Sequence, residues 1–205
     1  IESVLGSGGF GDVYKVVSQN KPDTKYAMKT EYFDEKKRKL LNRLKVEMGV
    51  FAAIAIAEPQ KRKHFLHMAD KGKTNVFKYI VMDIVSYSLE DIRRWMLKCT
   101  MTWSTAIRVA LQTLSAISDL HSVGYIHRDI KPHNFAIGTP PKNTMIFMLD
   151  FGISRRYLDK DGKIRIPRST VAFLGTIKFA SRACHREKEQ SRRDDVEVWA
   201  YMVLE

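Results

Sequence analysis

The residues best suited to chemistry lie in two short polar stretches in the second half of the chain. Residues 127–134 read HRDIKPHN, and residues 150–152, which begin twenty-one positions after Asp129, read DFG. An aspartate with a lysine two positions on can orient a hydroxyl, accept its proton and balance the charge of a moving phosphoryl group. Such a transfer depends on positioning and charge neutralisation more than on covalent help. The pattern predicts a phosphoryl-transfer site at Asp129 and Lys131.

The same two stretches predict a metal site. Asn134 and Asp150 carry the hard oxygen ligands that Mg²⁺ prefers when phosphate oxygens complete its coordination shell. A purely structural role would leave this combination of residue types unexplained.

A glycine-rich stretch near the start of the chain offers a place for phosphates. Residues 6–11 read GSGGFG and Val13 follows, which fits G-x-G-x-x-G-x-V. Glycines let the backbone approach an anion without a Cβ in the way. A ligand-free hairpin turn explains the same residues equally well. A strand follows Gly11, which argues against a dinucleotide-binding βαβ unit, and no Gly-Lys-Ser/Thr completes a Walker A loop. The candidate residues are Gly6, Ser7, Gly8, Gly9, Phe10 and Gly11.

A lysine and a glutamate are predicted to pair. Lys29 ends the apolar strand YAMK, and Glu47 falls on the apolar stripe of a predicted helix. A buried carboxylate is costly unless it is paired, and Lys29 is the obvious partner. The pair can hold an ammonium against the α- and β-phosphates of a nucleotide. A solvated Lys29 and a Glu47 exposed by a different helix phase are the structural alternative.

Hydrophobic periodicity and turn residues place these candidates on elements. Strands are predicted at 3–5, 11–17, 26–29 and 76–85, with a turn at 20–23. Helices are predicted at 34–57, 89–98, 102–122 and from about Asp195. The first helix has the apolar stripe Leu40, Leu44, Phe51 and Ile54, and the third has Ile107, Leu111, Leu114, Ile117 and His121. A strand-rich part, 1–85, therefore precedes a helix-rich part, 86–205.

Composition excludes several classes of protein. Of 205 residues, 44% are hydrophobic and 28% are charged, which argues against a disordered chain, a collagen-like fibre and a membrane bundle. The longest uncharged apolar run, 50–57, is too short to cross a bilayer. Cys99 and Cys184 match no metal-binding spacing and fit a reducing intracellular compartment.

The net charge of +12 is the main departure from average composition. Residues 154–193 hold twelve basic and four acidic residues and so contribute +8 of that charge. Nucleic acid, an anionic membrane surface, and an acidic or phosphorylated protein all suit such a charge. A solvated basic face is the structural alternative.

Taken in chain order, the glycine-rich stretch, Lys29 and the two polar stretches resemble a eukaryotic protein kinase. Lys131, two residues after the catalytic aspartate, is similar to the serine/threonine branch. The resemblance implies an α+β, bilobal protein-kinase fold, with an N-lobe at 1–85 that holds a five-stranded sheet and one helix. It implies a truncated C-lobe at 86–205, because the chain stops inside the helix near Asp195. ATP, Mg²⁺ and a protein substrate with an acceptor Ser or Thr are implied as well.

Three stretches resemble the casein kinase 1 superfamily, and within it the tau-tubulin kinase branch and its nematode-like expansions. They are HSVGYIHRDIKP at 121–132, NFAIG at 134–138 and GTIKFAS at 175–181. Ser181-Arg182-Ala183 stands where most kinases have Ala-Pro-Glu and where that group has a Ser-Ile-Asn type motif. The sequence RRDD at 192–195 also fits, with Asp195 as the aspartate that braces the catalytic loop.

The resemblance assigns further roles by position. Met82 becomes the gatekeeper, Asp83 and Val85 offer backbone groups to adenine, and Val13 and Ala27 wall the adenine pocket. Phe135 or Ile137 closes its floor. Arg128, Arg155 and Lys178 form an anion pocket, and Thr176 shapes the substrate groove beside Asp129. The groove is therefore expected to prefer acidic or already phosphorylated protein substrates.

Two other functions remain open at the level of sequence. A pseudokinase or scaffolding nucleotide-binding module would keep the same motifs in an inert conformation. A nucleic-acid binder is supported by the charge alone, because no interleaved aromatic platform or zinc-finger spacing is present. We therefore expect no nucleic-acid partner, no membrane span, a monomer, and a cytoplasmic or nuclear location.

Overall fold

Five antiparallel strands form the sheet of the N-terminal part. The computed structural model describes residues 1–8, 11–33, 42–96 and 100–205. The strands are β1 (Ser3–Gly8), β2 (Gly11–Ser18), β3 (Lys21–Tyr32), β4 (Met68–Lys73) and β5 (Phe77–Asp83). Their order across the sheet is β1-β2-β3-β5-β4. This sheet places the glycine-rich hairpin at one edge and Lys29 near the middle.

The turn predicted at 20–23 lies earlier in the structure. The chain reverses at residues 19–20, and Pro22 already belongs to β3. Ser18 pairs with Lys21 and Val17 with Lys25, so residues 22–24 form a bulge. Pro22 lies in this bulge, where its missing backbone N–H removes no hydrogen bond from the sheet. The strand predicted at 76–85 is β5, and it ends at Asp83 because Val85 pairs in a different sheet.

One helix, α1 (Arg43–Ala55), packs against this sheet. It buries Leu44, Phe51 and Ile54 as predicted, while residues 34–41, including Leu40, lie outside the described residues. The helix ends two residues before the predicted Ala57. Glu58 precedes Pro59 and is extended, with ψ 144°, because a residue before proline avoids the helical region.

The rest of the chain is largely helical. Short strands β6 (Val85–Ser88), β8 (Phe135–Gly138) and β9 (Ile146–Met148) form one sheet, while β7 (Tyr125–Ile126) pairs with β10 (Arg155–Arg156). The helices are α2 (Leu89–Asp91), which continues as a π-helical turn at Ile92–Met96, α3 (Trp103–Ser122), α4 (Arg182–His185) and α5 (Arg192–Leu204). Residues 97–98 of the predicted helix 89–98 lie outside the described residues.

The apolar stripe predicted for α3 is only partly buried. The buried residues of the whole helix are Thr113, Ala116, Ile117 and Leu120, and of these only Ile117 belongs to the predicted stripe. Ile107 and Leu111 of the stripe are 56% and 64% exposed. The small residues Thr113 and Ala116 allow the backbone of α5 to approach, and Trp199 of α5 donates its indole N–H to Thr113 Oγ1 at 3.0 Å. Periodicity found the helix, but close packing rather than hydropathy selected the buried face.

The α5 helix begins three residues before the predicted Asp195. Ser191 and Asp194 form a capping box, in which Asp194 accepts from the backbone N–H and hydroxyl of Ser191. No helix within the described ranges is long and apolar enough to cross a membrane. The architecture confirms the predicted α+β class.

Candidate active site

A buried carboxylate fixes the stretch 127–134. Asp195 is 1% exposed, and its Oδ2 accepts the backbone N–H of His127 at 2.8 Å. Its Oδ1 accepts the backbone N–H of Arg128 at 2.9 Å, and the ring of His121 lies 2.8 Å from Oδ2. Arg128 has φ 69°, a left-handed conformation that a non-glycine residue adopts at a cost. The contacts from Asp195 hold this turn of the backbone in place.

His127 connects this stretch to the DFG triplet. The backbone N–H of Asp129 donates to His127 Nδ1 at 3.2 Å, so Nε2 carries the proton and donates to the carbonyl of Leu149 at 3.0 Å. The His127 ring also packs edge-on against Phe151 at 5.5 Å between centroids. Phe151 in turn contacts Phe51 of α1 and Phe65. One buried cluster therefore positions both polar stretches against α1.

Asp129 lies in a small polar network. Lys131 Nζ is 2.8 Å from Asp129 Oδ2 and donates to Thr176 Oγ1 at 2.9 Å. Thr176 donates to Asp129 Oδ1 at 2.8 Å. Gly175 precedes Thr176 with φ 124°, and a Cβ there would lie 2.8 Å from the carbonyl oxygen of Arg128. A glycine at 175 is thus what lets Thr176 reach the carboxylate.

Asn134 ties the end of this stretch to both Asp129 and the DFG triplet. Its Nδ2 donates to the Asp129 carbonyl at 2.7 Å and to Asp129 Oδ2 at 3.1 Å. The backbone N–H of Leu149 donates to the Asn134 carbonyl at 2.8 Å. Since the amide nitrogen is used in this way, the side-chain oxygen of Asn134 is left as an acceptor.

Lys29 bridges two carboxylates across the N-terminal and C-terminal parts. Its Nζ is 2.7 Å from Glu47 Oε2 and 2.9 Å from Asp150 Oδ1. The Glu47 side chain is 2% exposed, and that of Asp150 is 46% exposed. The pair predicted between Lys29 and Glu47 is therefore present in the structure, with Asp150 added to it.

The charges of this triad depend on one another. Burial on its own lowers the pKa of Lys29, but the carboxylates of Glu47 and Asp150 outweigh burial and hold that pKa above its ordinary value. Burial raises the pKa of Asp150, while the Lys29 ammonium opposes this and brings it down to about 2. Burial also raises the pKa of Glu47, and the ammonium of Lys29 counters that shift only in part. Glu47 thus relies on Lys29 to stay charged.

Most of the predicted adenine-contacting residues belong to the hydrophobic core or pack against it. Ala27, Met82 and Phe135 are buried, and Val13, Asp83, Val85 and Ile137 are partly buried. Ala27 pairs with Met82 across β3 and β5, and Val85 pairs with Gly138. The backbone N–H of Asp83 already donates to the carbonyl of His67 at 3.1 Å. One of the backbone groups that the resemblance assigns to adenine binding, the N–H of Asp83, therefore already has a hydrogen-bond partner.

The glycine-rich hairpin is exposed and has a polar brace on β2. Every residue of β1 is exposed, and Gly9 and Phe10 lie outside the described residues. Asp12 Oδ1 accepts the hydroxyl of Ser7 at 2.6 Å, and Oδ2 accepts those of Tyr32 and Tyr14 at 3.0 and 3.1 Å. Sequence reasoning missed Asp12, although the alternation of Asp12 and Tyr14 about the inward Val13 places them on one face.

The predicted anion pocket is arranged differently from the expectation. Arg128 Nε donates to the carbonyl of Ile153, and Arg155 Nε lies 3.3 Å from Glu189 Oε1. Lys178 instead pairs with Glu205 and lies over the Phe179 ring. Sequence reasoning missed Arg168 and Glu189, although Glu189 is one of four acidic residues in the strongly basic segment 154–193.

The comparisons with known proteins agree with this geometry. The model of the protein kinase domain matches residues 1–204. The chain is 40% identical over 183 residues, 89% of its length, to a Caenorhabditis elegans protein named "Putative serine/threonine-protein kinase". It is 36% identical over 97% of its length to "Serine/threonine-protein kinase spe-6" of the same organism. A third, "Putative casein kinase I", is 32% identical over the whole chain.

The chain spans about half the length of these curated relatives, at 55%, 50% and 58% of each in turn. The family match covers nearly all of the chain, including both polar stretches and the sheet. A β-sheet followed by a helical part, with the charged residues converging between them, is the arrangement expected of a bilobal kinase. The chain belongs to the protein kinase domain family.

Proposed function

We propose that the protein is an ATP-dependent serine/threonine kinase, which transfers the γ-phosphoryl group of Mg·ATP to serine or threonine hydroxyls of protein substrates. One observation carries the proposal: a continuous set of contacts links Lys29 and Glu47 to Asp150, and Asn134 links Asp129 to the residue before Asp150. An ammonium, a base candidate and two oxygen ligands thus converge from distant parts of the sequence. The relatives' names agree with this activity.

The nucleotide is proposed to lie between an N-lobe, 1–85, and a C-lobe portion, 86–205. Adenine would lie against Ala27, Met82 and Phe135, with Val13, Ile137 and the backbone of Asp83 and Val85 around it. The glycine-rich hairpin, from Gly6 to Gly11, would cover the phosphates. Lys29 would contact the α- and β-phosphates, because ion pairs with Glu47 and Asp150 fix the position of its ammonium group.

The residues present fit a magnesium ion. Within the described residues, hydrogen bonds occupy Asn134 Nδ2 and Asp150 Oδ1, which leaves Asn134 Oδ1 and Asp150 Oδ2 as oxygen ligands. No cluster of three His, Cys, Asp or Glu that could hold a metal is found in that part of the chain. Mg²⁺ suits this pattern, since it takes one or two protein oxygens and completes its shell with phosphates and water. When bound, it neutralises charge on the phosphate oxygens.

The remaining steps belong to the residues around Asp129. Its carboxylate would orient the acceptor hydroxyl and accept its proton at Oδ2 or Oδ1. Lys131 would place its ammonium on the transferring phosphoryl group, where it offsets the charge that develops. Thr176 contacts both side chains and would hold the acceptor chain beside them.

We place the protein in the casein kinase 1 superfamily, near the tau-tubulin kinase branch. The stretches 121–132 and 175–181 support this placement, as does the relative named as a casein kinase I. In this proposal the basic residues Arg128 and Arg155 are the groups that favour acidic or primed protein substrates, and Lys178 would have to leave Glu205 to join them. A monomer that acts on proteins in the cytoplasm or nucleus, without nucleic acid, fits these features.

The activity is tested with full-length protein and γ-labelled ATP on an acidic protein such as casein. Asp129→Asn keeps the size of the side chain but cannot accept the proton, so we expect transfer to fall by roughly 10²- to 10⁴-fold. The matched control is Asp70→Asn, which removes the same charge from an exposed residue of β4. Equal label incorporation by wild type and Asp129→Asn would refute the assignment of Asp129.

The substrate preference has its own test. Arg155→Ala and Lys178→Ala are compared with wild type on one peptide in primed and unprimed forms. The proposal expects the preference for the primed peptide to shrink in at least the Arg155 variant. An unchanged ratio of kcat/KM for the two peptides in both variants would reject the pocket.

A further inference from the structure

A single carboxylate lies among the arginines of the basic segment. Glu189 is 10% exposed at its side chain and accepts two hydrogen bonds from Arg168, from Nε at 2.6 Å and from Nη2 at 3.0 Å. Its Oε1 also lies 3.3 Å from Arg155 Nε. Burial lowers the pKa of the nearby Arg128 to about 10; the charges of Arg155 and Arg168 add to this shift, while the carboxylates of Glu189 and Asp195 oppose it.

These contacts join distant parts of the chain. We call residues 155–180 the activation segment; it begins with Arg155, which belongs to β10 and pairs with Ile126, the residue before the 127–134 stretch. Arg168 lies in the middle of the segment. The backbone N–H of Val171 donates to the carbonyl of Glu187 at 3.0 Å, which is a second tie to the same region. Glu189 therefore connects the middle of the segment to β10, which pairs with β7, the strand that leads into the 127–134 stretch.

The cluster has the chemistry of an anion-binding site in which the carboxylate of Glu189 is the bound anion. Arginine presents a planar fork that binds a carboxylate or a phosphate through paired N–H groups. Without Glu189, the guanidinium groups of Arg155 and Arg168 would lie close together with no anion between them, and their mutual repulsion would favour moving the segment away. A phosphate on a nearby residue or a free oxyanion could supply the missing charge.

We propose that Glu189 is a positioning residue whose carboxylate takes the place of a phosphate between Arg155 and Arg168, and so keeps the activation segment against the catalytic loop. The inference rests on the proposed kinase function and concerns its regulation. It follows that an inorganic oxyanion restores the site when the carboxylate is removed.

The decisive experiment compares three variants of the full-length protein. Glu189→Ala leaves an empty space, Glu189→Gln fills the space with a neutral group, and Glu187→Ala removes a charge from an exposed neighbour as the matched control. We expect kcat to fall roughly ten- to a hundredfold in both Glu189 variants, the size of losing a hydrogen bond between charged groups. The KM for ATP and the Glu187→Ala variant should stay unchanged.

Rescue by sulfate separates this role from general damage. Sodium sulfate should restore kcat in Glu189→Ala but not in Glu189→Gln, with sodium chloride at matched ionic strength as the control for screening. Rescue of both variants, of neither, or by chloride equally would overturn the proposal. So would a wild-type kcat in Glu189→Ala.

A second readout does not depend on kinase activity. Trypsin cleaves after the exposed Arg165 and the partly exposed Arg168, so cleavage in the activation segment reports its release. We expect faster cleavage in both Glu189 variants, protection of Glu189→Ala by sulfate, and no change in Glu187→Ala. If wild type transfers no phosphate but this pattern holds, the kinase assignment fails while the structural role of Glu189 stands. Equal cleavage rates in all four proteins would reject that role.

Discussion

The glycine-rich hairpin and the catalytic loop, 127–134, are held in opposite ways. The hairpin is exposed along the whole of β1, and its brace is the set of hydroxyl contacts to Asp12. The catalytic loop depends on buried polar groups, with His127 fully buried and Asp195 1% exposed. Buried hydrogen bonds to a charged group cost more to break than exposed ones. The residues proposed to do chemistry are thus held firmly, while the hairpin proposed to cover the nucleotide can open at little cost.

The largest expected effect comes from the buried side of this comparison. Asp195→Asn replaces one carboxylate oxygen with an NH₂ group, which cannot accept from His127 or His121. We expect the free energy of unfolding of the full-length protein to fall by roughly 3 kcal/mol or more, because buried donors lose their partner. Denaturant unfolding measures this loss, and kcat should fall with it. The control is Asp23→Asn on the exposed edge of β3, which should change neither quantity. An Asp195→Asn protein as stable as wild type would show that the catalytic loop does not depend on this carboxylate.

The second effect concerns the buried ion pair between Lys29 of β3 and Glu47 of α1. Lys29→Met leaves Glu47 buried without its ammonium, and we expect a loss of roughly 2–3 kcal/mol in the free energy of unfolding at neutral pH. Adding Glu47→Gln should return much of that loss, because the buried group is then neutral. Both proteins should be inactive, so the measurement is denaturant unfolding. A double variant no more stable than Lys29→Met would contradict the pairing.

The same pair gives a pH dependence. Burial raises the pKa of Glu47 in the folded protein. In the Lys29→Met variant, the Glu47 carboxyl therefore binds a proton more readily in the folded state than in the unfolded state. Stability from such a group is gained as pH falls. The deficit of Lys29→Met relative to wild type should therefore shrink between pH 7 and pH 5. A deficit that stays constant or grows over this range would indicate that Glu47 is not buried in the variant.

The smallest expected effect tests the exposed side. Asp12→Ala removes the carboxylate that Ser7, Tyr14 and Tyr32 share, so the hairpin should open more often. We expect the KM for ATP to rise about threefold, the order of one exposed hydrogen bond, with kcat and the KM for peptide unchanged. Asp23→Ala in the same sheet is the control. A drop in kcat equal to that of Asp195→Asn would mean that hairpin and loop are not held differently.

The sequence predicted which polar residues come together better than it predicted the packing. Asp129, Asn134 and Asp150 were predicted from type and spacing to share one site, and in the structure Asn134 links Asp129 to the residue before Asp150. Glu47 was found as a carboxylate on an apolar stripe, and the structure pairs it with Lys29. Such inferences succeed because burying a charge has a known cost that narrows the possible partners.

Other features could not be read from the chain. The buried face of α3 was predicted wrongly at Ile107 and Leu111, since hydropathy does not reveal where a small residue such as Thr113 admits a neighbouring helix. The link between Arg168 and Glu189 was missed, because ion pairs across a long irregular segment leave no periodic signal. Asp12 was missed for a similar reason: its three partners lie on three different strands.

The left-handed backbone at Arg128 and at Asp150 sets a condition on how this site can change. Each residue occupies a conformation that an isolated peptide seldom visits, so the carboxylates of Asp129 and Asp150 keep their orientation only while tertiary contacts persist. A chain that lost Asp195 or Lys29 would relax these residues toward ordinary backbone angles and rotate the carboxylates away from each other. Loss of activity should therefore come before loss of fold as such contacts weaken during evolution.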